Sequence, residues 1–120
     1  MKFENNWEQK SLENLEKSDS GVPAKENSRI VNRVLELRKI PLNQFTIEDI
    51  RFMIGQSEGL AYLVVLSIDI LKANLFAEGD FFPGDLLKNI LHIDTAFWKS
   101  NKQLYLEIED LIRGKEDMLN

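Results

Sequence analysis

The sequence predicts an all-α fold, a compact single domain over residues 1–120 with five to six helices around an apolar central helix at about residues 58–74. Apolar residues recur at helical spacing along most of the chain. No sustained alternation of apolar and polar residues indicates a strand, and no Asn-Gly or Asp-Gly pair indicates a hairpin. With 120 residues, 43% of them hydrophobic, the chain is long enough to bury one core.

The first two helices are separated by a polar segment. A weakly amphipathic helix is expected at about residues 6–17, and the turn-rich residues 18–28 are expected to form a loop. Ser28 is placed to cap the second helix, and Pro41 stops it. The apolar residues expected to pack inward are Trp7, Leu12 and Leu15 in the first helix and Ile30, Val31, Val34, Leu35 and Leu37 in the second.

The third helix begins with a capping-box pattern in which Thr46 is followed by Asp49. Gly55 stands where a C-cap glycine would end it. One face of this helix carries Ile47, Ile50, Met53 and Ile54. The fourth helix, about 58–74, is apolar nearly all round, which is typical of an element covered by other helices.

The remaining helices follow the segment FAEGDFFPGDLL at residues 76–87. A fifth helix is expected from Asp85, then a short turn capped by Asp94, then a final helix at about 102–113 capped by Asn101 and ended by Gly114. This last helix is expected to bury Leu104, Ile108, Leu111 and Ile112. The tail at 115–120 is expected to be frayed.

Part of the segment 76–87 has a clear structural explanation. Pro83 suits the first position of the fifth helix, and Phe82 before it is biased toward the extended conformation of an N-cap residue. Asp85 can then accept hydrogen bonds from free N–H groups in the first turn. Gly79 can take a positive φ after the fourth helix. One phenylalanine of the pair Phe81-Phe82 is expected to anchor the loop to the core.

Two acidic residues of this segment, Glu78 and Asp80, are left without a structural task. Beside aromatic surface they would suit a basic partner, because interface cores favour aromatic residues and charge sets the register of binding. The net charge of the chain is −5, and residues 58–94 carry six acidic against two basic residues, a net of −4. An acidic domain gains nothing from counterion release on DNA or RNA, so direct nucleic-acid binding is disfavoured.

Catalytic and metal sites find little support in the sequence. There is no cysteine and only one histidine, so thiolate zinc sites, disulfides and a cysteine nucleophile are excluded. The spacing of Glu78, Asp80 and Asp85 does not match a calcium loop. A small metal-dependent hydrolase that uses these three carboxylates remains an alternative, and a structural or regulatory helical adaptor is another.

The fourth helix carries two further polar residues on one face, Tyr62 and Asp69. Asp69 is expected to be solvated or to pair with Arg33, Arg38 or Arg51, because an unpaired buried carboxylate is costly. The apolar run at 60–66 is shorter than the roughly 20 residues that span a bilayer, so no membrane partner is expected. The N-terminal MKFENNWEQK has no apolar core of a secretory signal, and we expect a cytoplasmic protein.

Three phrases of the sequence carry a family resemblance: MKFENNWEQKSLENLEK, LRKIPLNQFTIEDIRFMIGQ and FAEGDFFPGDLL. They resemble the immunity proteins of bacterial contact-dependent growth inhibition (CDI) systems, and the resemblance covers most of residues 1–92. It implies a cytoplasmic protein that binds the toxic C-terminal domain of a cognate effector and blocks it, often by covering a nuclease active site. It implies no catalysis and no cofactor. Phe82 stands where the family pattern leads us to expect a tyrosine.

The family supplies no catalytic motif to carry over, so the residues expected to face a toxin come from charge and loop chemistry. They lie in the acidic section of the chain. They are Glu58, Tyr62, Asp69, Glu78, Asp80, Phe82 and Asp85.

Overall fold

A computed structural model describes residues 3–114, and within that range it contains seven α-helices and no β-strand. In chain order they are α1 (Leu12–Glu16), α2 (Arg29–Leu37), α3 (Ile47–Gly55), α4 (Leu60–Ala73), α5 (Asp85–Leu91), α6 (Thr95–Ser100) and α7 (Lys102–Arg113). The predicted helical class is confirmed. The helices outnumber the expected five to six, because the turn expected after Asp94 is the full helix α6. The tail at 115–120 lies outside the described residues.

The chain divides into two compact units, one up to Phe45 and one from Thr46 onward. Helices α1 and α2 belong to the first unit and α3 to α7 to the second. The single-domain organisation over 1–120 stays a prediction.

In the first unit, the helix expected at 6–17 is interrupted. A 3₁₀ turn spans Trp7–Gln9, Lys10 is extended, and α1 begins afresh after Ser11. The Ser11 hydroxyl accepts a hydrogen bond from the Asn14 N–H at 3.2 Å, so it acts as a helix cap in the middle of the predicted helix. Serine side chains compete for backbone N–H groups in this way, and apolar spacing alone does not reveal it.

The loop at 18–28 is present as predicted, and the side chain of Arg38 holds its start. Arg38 is 7% exposed. Its guanidinium donates to the Glu16 carboxylate at 2.6 Å, to the Ser18 hydroxyl at 3.2 Å and to the Ser20 hydroxyl. This buried cation therefore has a carboxylate partner, as burial of a charge requires.

Helix α2 begins as predicted but does not bury the whole expected face. The Ser28 hydroxyl accepts from the Val31 N–H at 3.1 Å, which confirms the cap. Leu37 is buried, whereas Ile30 and Val31 are 52% and 45% exposed, so their predicted burial is wrong. Periodicity shows which side chains share a face, but the first turn of a helix can extend beyond the elements that would cover that face.

The second unit opens on the predicted capping box. The Thr46 hydroxyl accepts from the Asp49 N–H at 3.1 Å, and the Asp49 carboxylate accepts from the Thr46 N–H at 3.0 Å. Gly55 is not the expected C-cap; it is the last residue of α3, and Gln56 follows as the cap. A Cβ at Gly55 would lie 3.0 Å from the Asn89 side-chain nitrogen, so glycine allows close packing there.

Helix α4 buries Leu63, Val64, Ser67, Ile68 and Leu71 and packs against α3, α5 and α7. Its predicted place at the centre of the whole fold stays a prediction. Helix α7 has the predicted bounds, with Leu104 and Ile108 buried. Leu111 and Ile112 are only half-buried. The Asn101 side chain does not cap α7, and its NH₂ group donates to the Phe97 carbonyl. Among the described residues, no helix has the length and apolar character needed to cross a membrane.

Candidate partner-binding loop

The loop at 74–84 joins α4 to α5, and its first residues fix it to the second unit. Asn74 leaves the helical conformation, and its side-chain oxygen accepts from the Phe76 N–H at 3.0 Å. Leu75 and Ala77 are each 3% exposed. These two residues, rather than a member of the pair Phe81-Phe82, bury the inner side of the loop. The expectation that one phenylalanine of the pair anchors the loop is therefore wrong.

The loop folds back on itself before α5 begins. Glu78 and Pro83 form an isolated antiparallel bridge, and the Gly84 N–H donates to the Phe76 carbonyl at 3.1 Å. Gly84 has a φ of 87°, a left-handed conformation that glycine adopts without strain. Gly84 is the N-cap of α5 and Asp85 its first residue.

The prediction for the start of α5 is thus wrong at two positions, and the prediction of a positive φ after α4 is wrong at one. Phe82 is not the N-cap, Pro83 is not the first helical residue, and Gly84 rather than Gly79 takes the positive φ. The closure by the Glu78–Pro83 bridge places the proline before the helix, where its missing N–H breaks no helical hydrogen bond.

The Asp85 side chain turns back into the loop, not along the first turn of α5 as expected. Its carboxylate accepts from the N–H groups of Gly79 at 2.7 Å, Phe81 at 3.1 Å and Phe82 at 3.4 Å. Asp85 is 2% exposed. Burial alone would raise the pKa of this carboxyl, but the three N–H donors and the Arg51 guanidinium at 4.0 Å together lower it.

A second carboxylate, that of Glu48 on α3, holds the remaining amide at the tip of the loop. Glu48 accepts from the Asp80 N–H at 2.8 Å. It also receives two hydrogen bonds of 2.6 Å from Arg51, one turn later on the same helix. The hydrogen bonds from Arg51 are the main reason that the pKa of Glu48 is lowered, and the same pairing raises the pKa of Arg51.

Gly79 is required at this point by space, not by its φ. A Cβ there would lie 2.5 Å from the Glu48 Oε1 atom and 3.2 Å from both the Arg51 Cδ and the Asp85 Oδ2 atoms. The glycine lets the loop backbone approach both carboxylates closely enough to donate to them.

Two aromatic rings stand on the outside of this framework. Phe81 is 67% exposed, and the Arg51 guanidinium carbon lies 4.4 Å from its ring centroid. Phe82 is 42% exposed, with the Lys88 ammonium 5.3 Å from its ring centroid. Both distances fall in the range of cation–π contacts.

The residues predicted to face a partner fall into two groups. Glu78, Asp80, Phe82 and Asp85 come together in or beside the loop, with Glu78 and Asp80 exposed. The others lie before or within α4: Glu58 and Tyr62 are half-buried, and Asp69 is exposed, which agrees with the solvated alternative. The sequence analysis did not find Glu48, Arg51 and Phe81 as parts of this site. For Phe81, its position next to Phe82 was a signal in the sequence; for Glu48 and Arg51 there was none.

The three carboxylates of the hydrolase alternative do not form one open cluster. Asp85 is occupied by the loop backbone, whereas Glu78 and Asp80 are exposed. Within residues 3–114, no group of three or more His, Asp or Glu side chains is arranged to hold a metal ion.

Comparison with known proteins identifies a family. The family model described as CDI immunity proteins matches residues 14–108, which includes parts of both units and the whole loop at 74–84. No curated protein and no solved structure matches the chain significantly.

Proposed function

The chain belongs to the CDI immunity proteins, and we propose that it neutralises the toxic C-terminal domain of a cognate effector by binding to it in the cytoplasm. The observation that carries this proposal is the family match over residues 14–108. The loop at 74–84 supports it by supplying exposed acidic and aromatic side chains on a fixed backbone.

We place the toxin contact on the loop, with Glu78, Asp80 and Phe82 touching the partner. Asp85 contributes indirectly, because its buried carboxylate holds the backbone that carries these side chains. The residues before and within α4 form the second part of the proposed surface. They are Glu58, Tyr62 and Asp69.

The charge of this region favours a basic toxin domain. Residues 58–94 carry a net charge of −4 from six acidic and two basic residues. Opposite charge raises the rate of encounter between two proteins and disfavours partners of like charge. Nucleases that act on a polyanionic substrate have a basic surface, so a nuclease fits the proposal. Binding alone accounts for neutralisation, and the proposal includes no catalytic step.

The test uses the full-length chain and the toxin domain encoded beside it. Co-expression should restore growth of cells that produce the toxin domain, and the two purified proteins should form a complex with a Kd of about 10 nM or lower. If the chain neither protects these cells nor binds the purified toxin domain, the proposed function is wrong.

A charge-matched pair of double variants tests the place of the contact. Glu78→Gln with Asp80→Asn should slow association about tenfold at low salt, and the difference should shrink as salt screens the charges. Glu26→Gln with Glu36→Gln removes the same charge from exposed positions of the first unit and serves as the control. Equal association rates for the two double variants would contradict the loop as the contact.

A further inference from the structure

The exposure of Phe81 is unusual for an ordered loop. Adjacent phenylalanines in a helix connection would normally gain free energy by packing into the core, since burial of such a side chain is worth roughly 2–3 kcal/mol. Here Phe81 and Phe82 are instead 67% and 42% exposed, and Leu75 and Ala77 take the buried positions. The loop therefore presents two of its three phenylalanines to solvent, while Leu75 and Ala77 are buried and Phe76 is half-buried.

The outward position of the rings is fixed by hydrogen bonds, not by a lack of structure. Four consecutive backbone N–H groups, those of residues 79–82, all donate to the carboxylates of Asp85 and Glu48. A backbone held at four successive amides has little freedom to turn Phe81 inward. Ordering that is completed before binding does not have to be paid at the interface, so a ring held in this way is a stronger anchor.

The surroundings of Phe81 indicate the kind of surface that would receive it. One face of the ring is covered by the Arg51 guanidinium, whose charge is matched by Glu48, so the opposite face and the ring edge are left for a partner. Exposed Glu78 and Asp80 precede it in the loop. Glu78 and Asp80 therefore supply acidic side chains on the segment before the ring, whereas Lys88 is a basic side chain beside Phe82. The complement of Phe81 is an apolar pocket with basic groups that can meet Glu78 and Asp80.

An apolar groove extends this surface on the side of α5. It has a volume of about 250 Å³, and its apolar lining comes from Phe76, Pro83, Leu87 and Leu91. Lys88 and His92 also line it. Leu91 is 54% exposed. The groove offers a place for an apolar side chain of the same partner next to the two rings, which would enlarge the desolvated centre of the interface.

We propose that Phe81 is the central anchor of the toxin interface and inserts into an apolar pocket with a basic border on the cognate toxin domain. This inference rests on the proposed function and assigns the largest share of the binding energy to a residue outside the acidic pair. The two contributions differ in kinetics: the acidic residues raise the association rate, and the anchored ring slows dissociation.

The experiment measures association and dissociation rates of the full-length chain with the purified cognate toxin domain by surface plasmon resonance. Phe81→Ala should weaken binding about 30-fold or more, as expected for a central aromatic anchor. Most of this loss should appear as faster dissociation, with the salt dependence of association unchanged. Leu106→Ala removes a side chain that is 52% exposed on α7 and should change the Kd less than about twofold.

Two further readouts separate the inference from a folding defect and from failure of the proposed function. Phe81→Leu retains an apolar side chain without the ring and should lie between wild type and Phe81→Ala, while circular dichroism reports the helical fold of each variant. If wild type binds the toxin domain and Phe81→Ala binds within threefold of it, the inference is wrong and the proposed function stands. If wild type does not bind, both are wrong.

Discussion

Replacing Asp85 with asparagine tests whether one buried carboxylate organises the loop at 74–84. The substitution keeps the size of the side chain and removes its charge. The remaining side-chain oxygen can still accept from the Gly79 N–H, which lies 2.7 Å from Oδ1 in the wild-type protein. The other becomes an NH₂ group that faces the N–H groups of Phe81 and Phe82, so donors meet donors where the carboxylate accepted at 3.1 and 3.4 Å.

The magnitude follows from these contacts. Hydrogen bonds to a charged acceptor contribute about 1.5–3 kcal/mol each. The bond at 3.4 Å is long and counts for less than the bond at 3.1 Å. A neutral amide also costs less to bury than a carboxylate, which offsets part of the loss. We therefore expect Asp85→Asn to lower the free energy of unfolding by about 2 kcal/mol.

Urea denaturation followed by circular dichroism measures this free energy, and amide hydrogen exchange locates the effect. The amides of Phe81 and Phe82 should exchange faster in the variant, while exchange in α7 follows global stability. Asp94→Asn is the matched control, because asparagine caps a helix as well as aspartate does and Asp94 caps α6 by accepting from the Ala96 N–H. Such comparisons are precise to about 0.3 kcal/mol. If the free energies of unfolding of Asp85→Asn and Asp94→Asn agree within about that value, the organising role of Asp85 is refuted.

Three other predictions concern the same framework and the helix caps. In Gly79→Ala the new Cβ would lie 2.5 Å from the Glu48 Oε1 atom, so the substitution should displace this carboxylate and lower the free energy of unfolding by about 1–3 kcal/mol in a urea titration. Gly114→Ala is the control, because the atom nearest to its new Cβ would be 3.5 Å away, and its free energy of unfolding should stay near that of wild type. The pKa values of Glu48 and Asp85 in the folded protein lie below the ordinary values of 4.5 and 3.8. The stability that these carboxylates contribute is therefore complete above the ordinary values and is lost as the pH falls through the folded-state pKa values. The urea midpoint should decrease below about pH 4.5, and this decrease should be smaller in Glu48→Gln. Ser28→Ala should cost about 1 kcal/mol by removing the cap of α2, and an unchanged thermal midpoint would contradict that role.

Contacts between near neighbours in sequence were predictable. The caps by Ser28 and by Thr46 with Asp49 involve residues three positions apart, so the pattern itself contains both partners. The helical class follows from apolar spacing, and the end of α7 follows from the glycine directly after it, Gly114. The break at Ser11 was missed because its capping role depends on a local conformation, not on apolar spacing.

The hydrogen bonds that hold the loop could not be predicted from the sequence, for a different reason. Its tip is held by Glu48, which is 32 positions away from Asp80 in the chain. The sequence around the start of α3 does not indicate which distant loop the first turn of that helix will contact. The role of Asp85 was misassigned because a carboxylate in a first turn can accept either from its own helix or from the segment before it, and the Glu78–Pro83 bridge decides between them.

Under the proposed function, stability and recognition depend on partly different residues of the loop. The carboxylates of Asp85 and Glu48 accept hydrogen bonds from the four tip amides. We therefore expect their substitution to change the conformation of the loop, its stability and, under the proposed function, toxin binding. The Phe81 ring lies against the Arg51 guanidinium, and the hydrogen bond of Phe81 to Asp85 is made by its backbone N–H. We therefore expect removal of the ring to leave the hydrogen-bonded framework in place. In the proposed interface, side chains such as that of Phe81 can differ while the carboxylates keep the backbone in place, which is what recognition of a particular partner on a common fold requires.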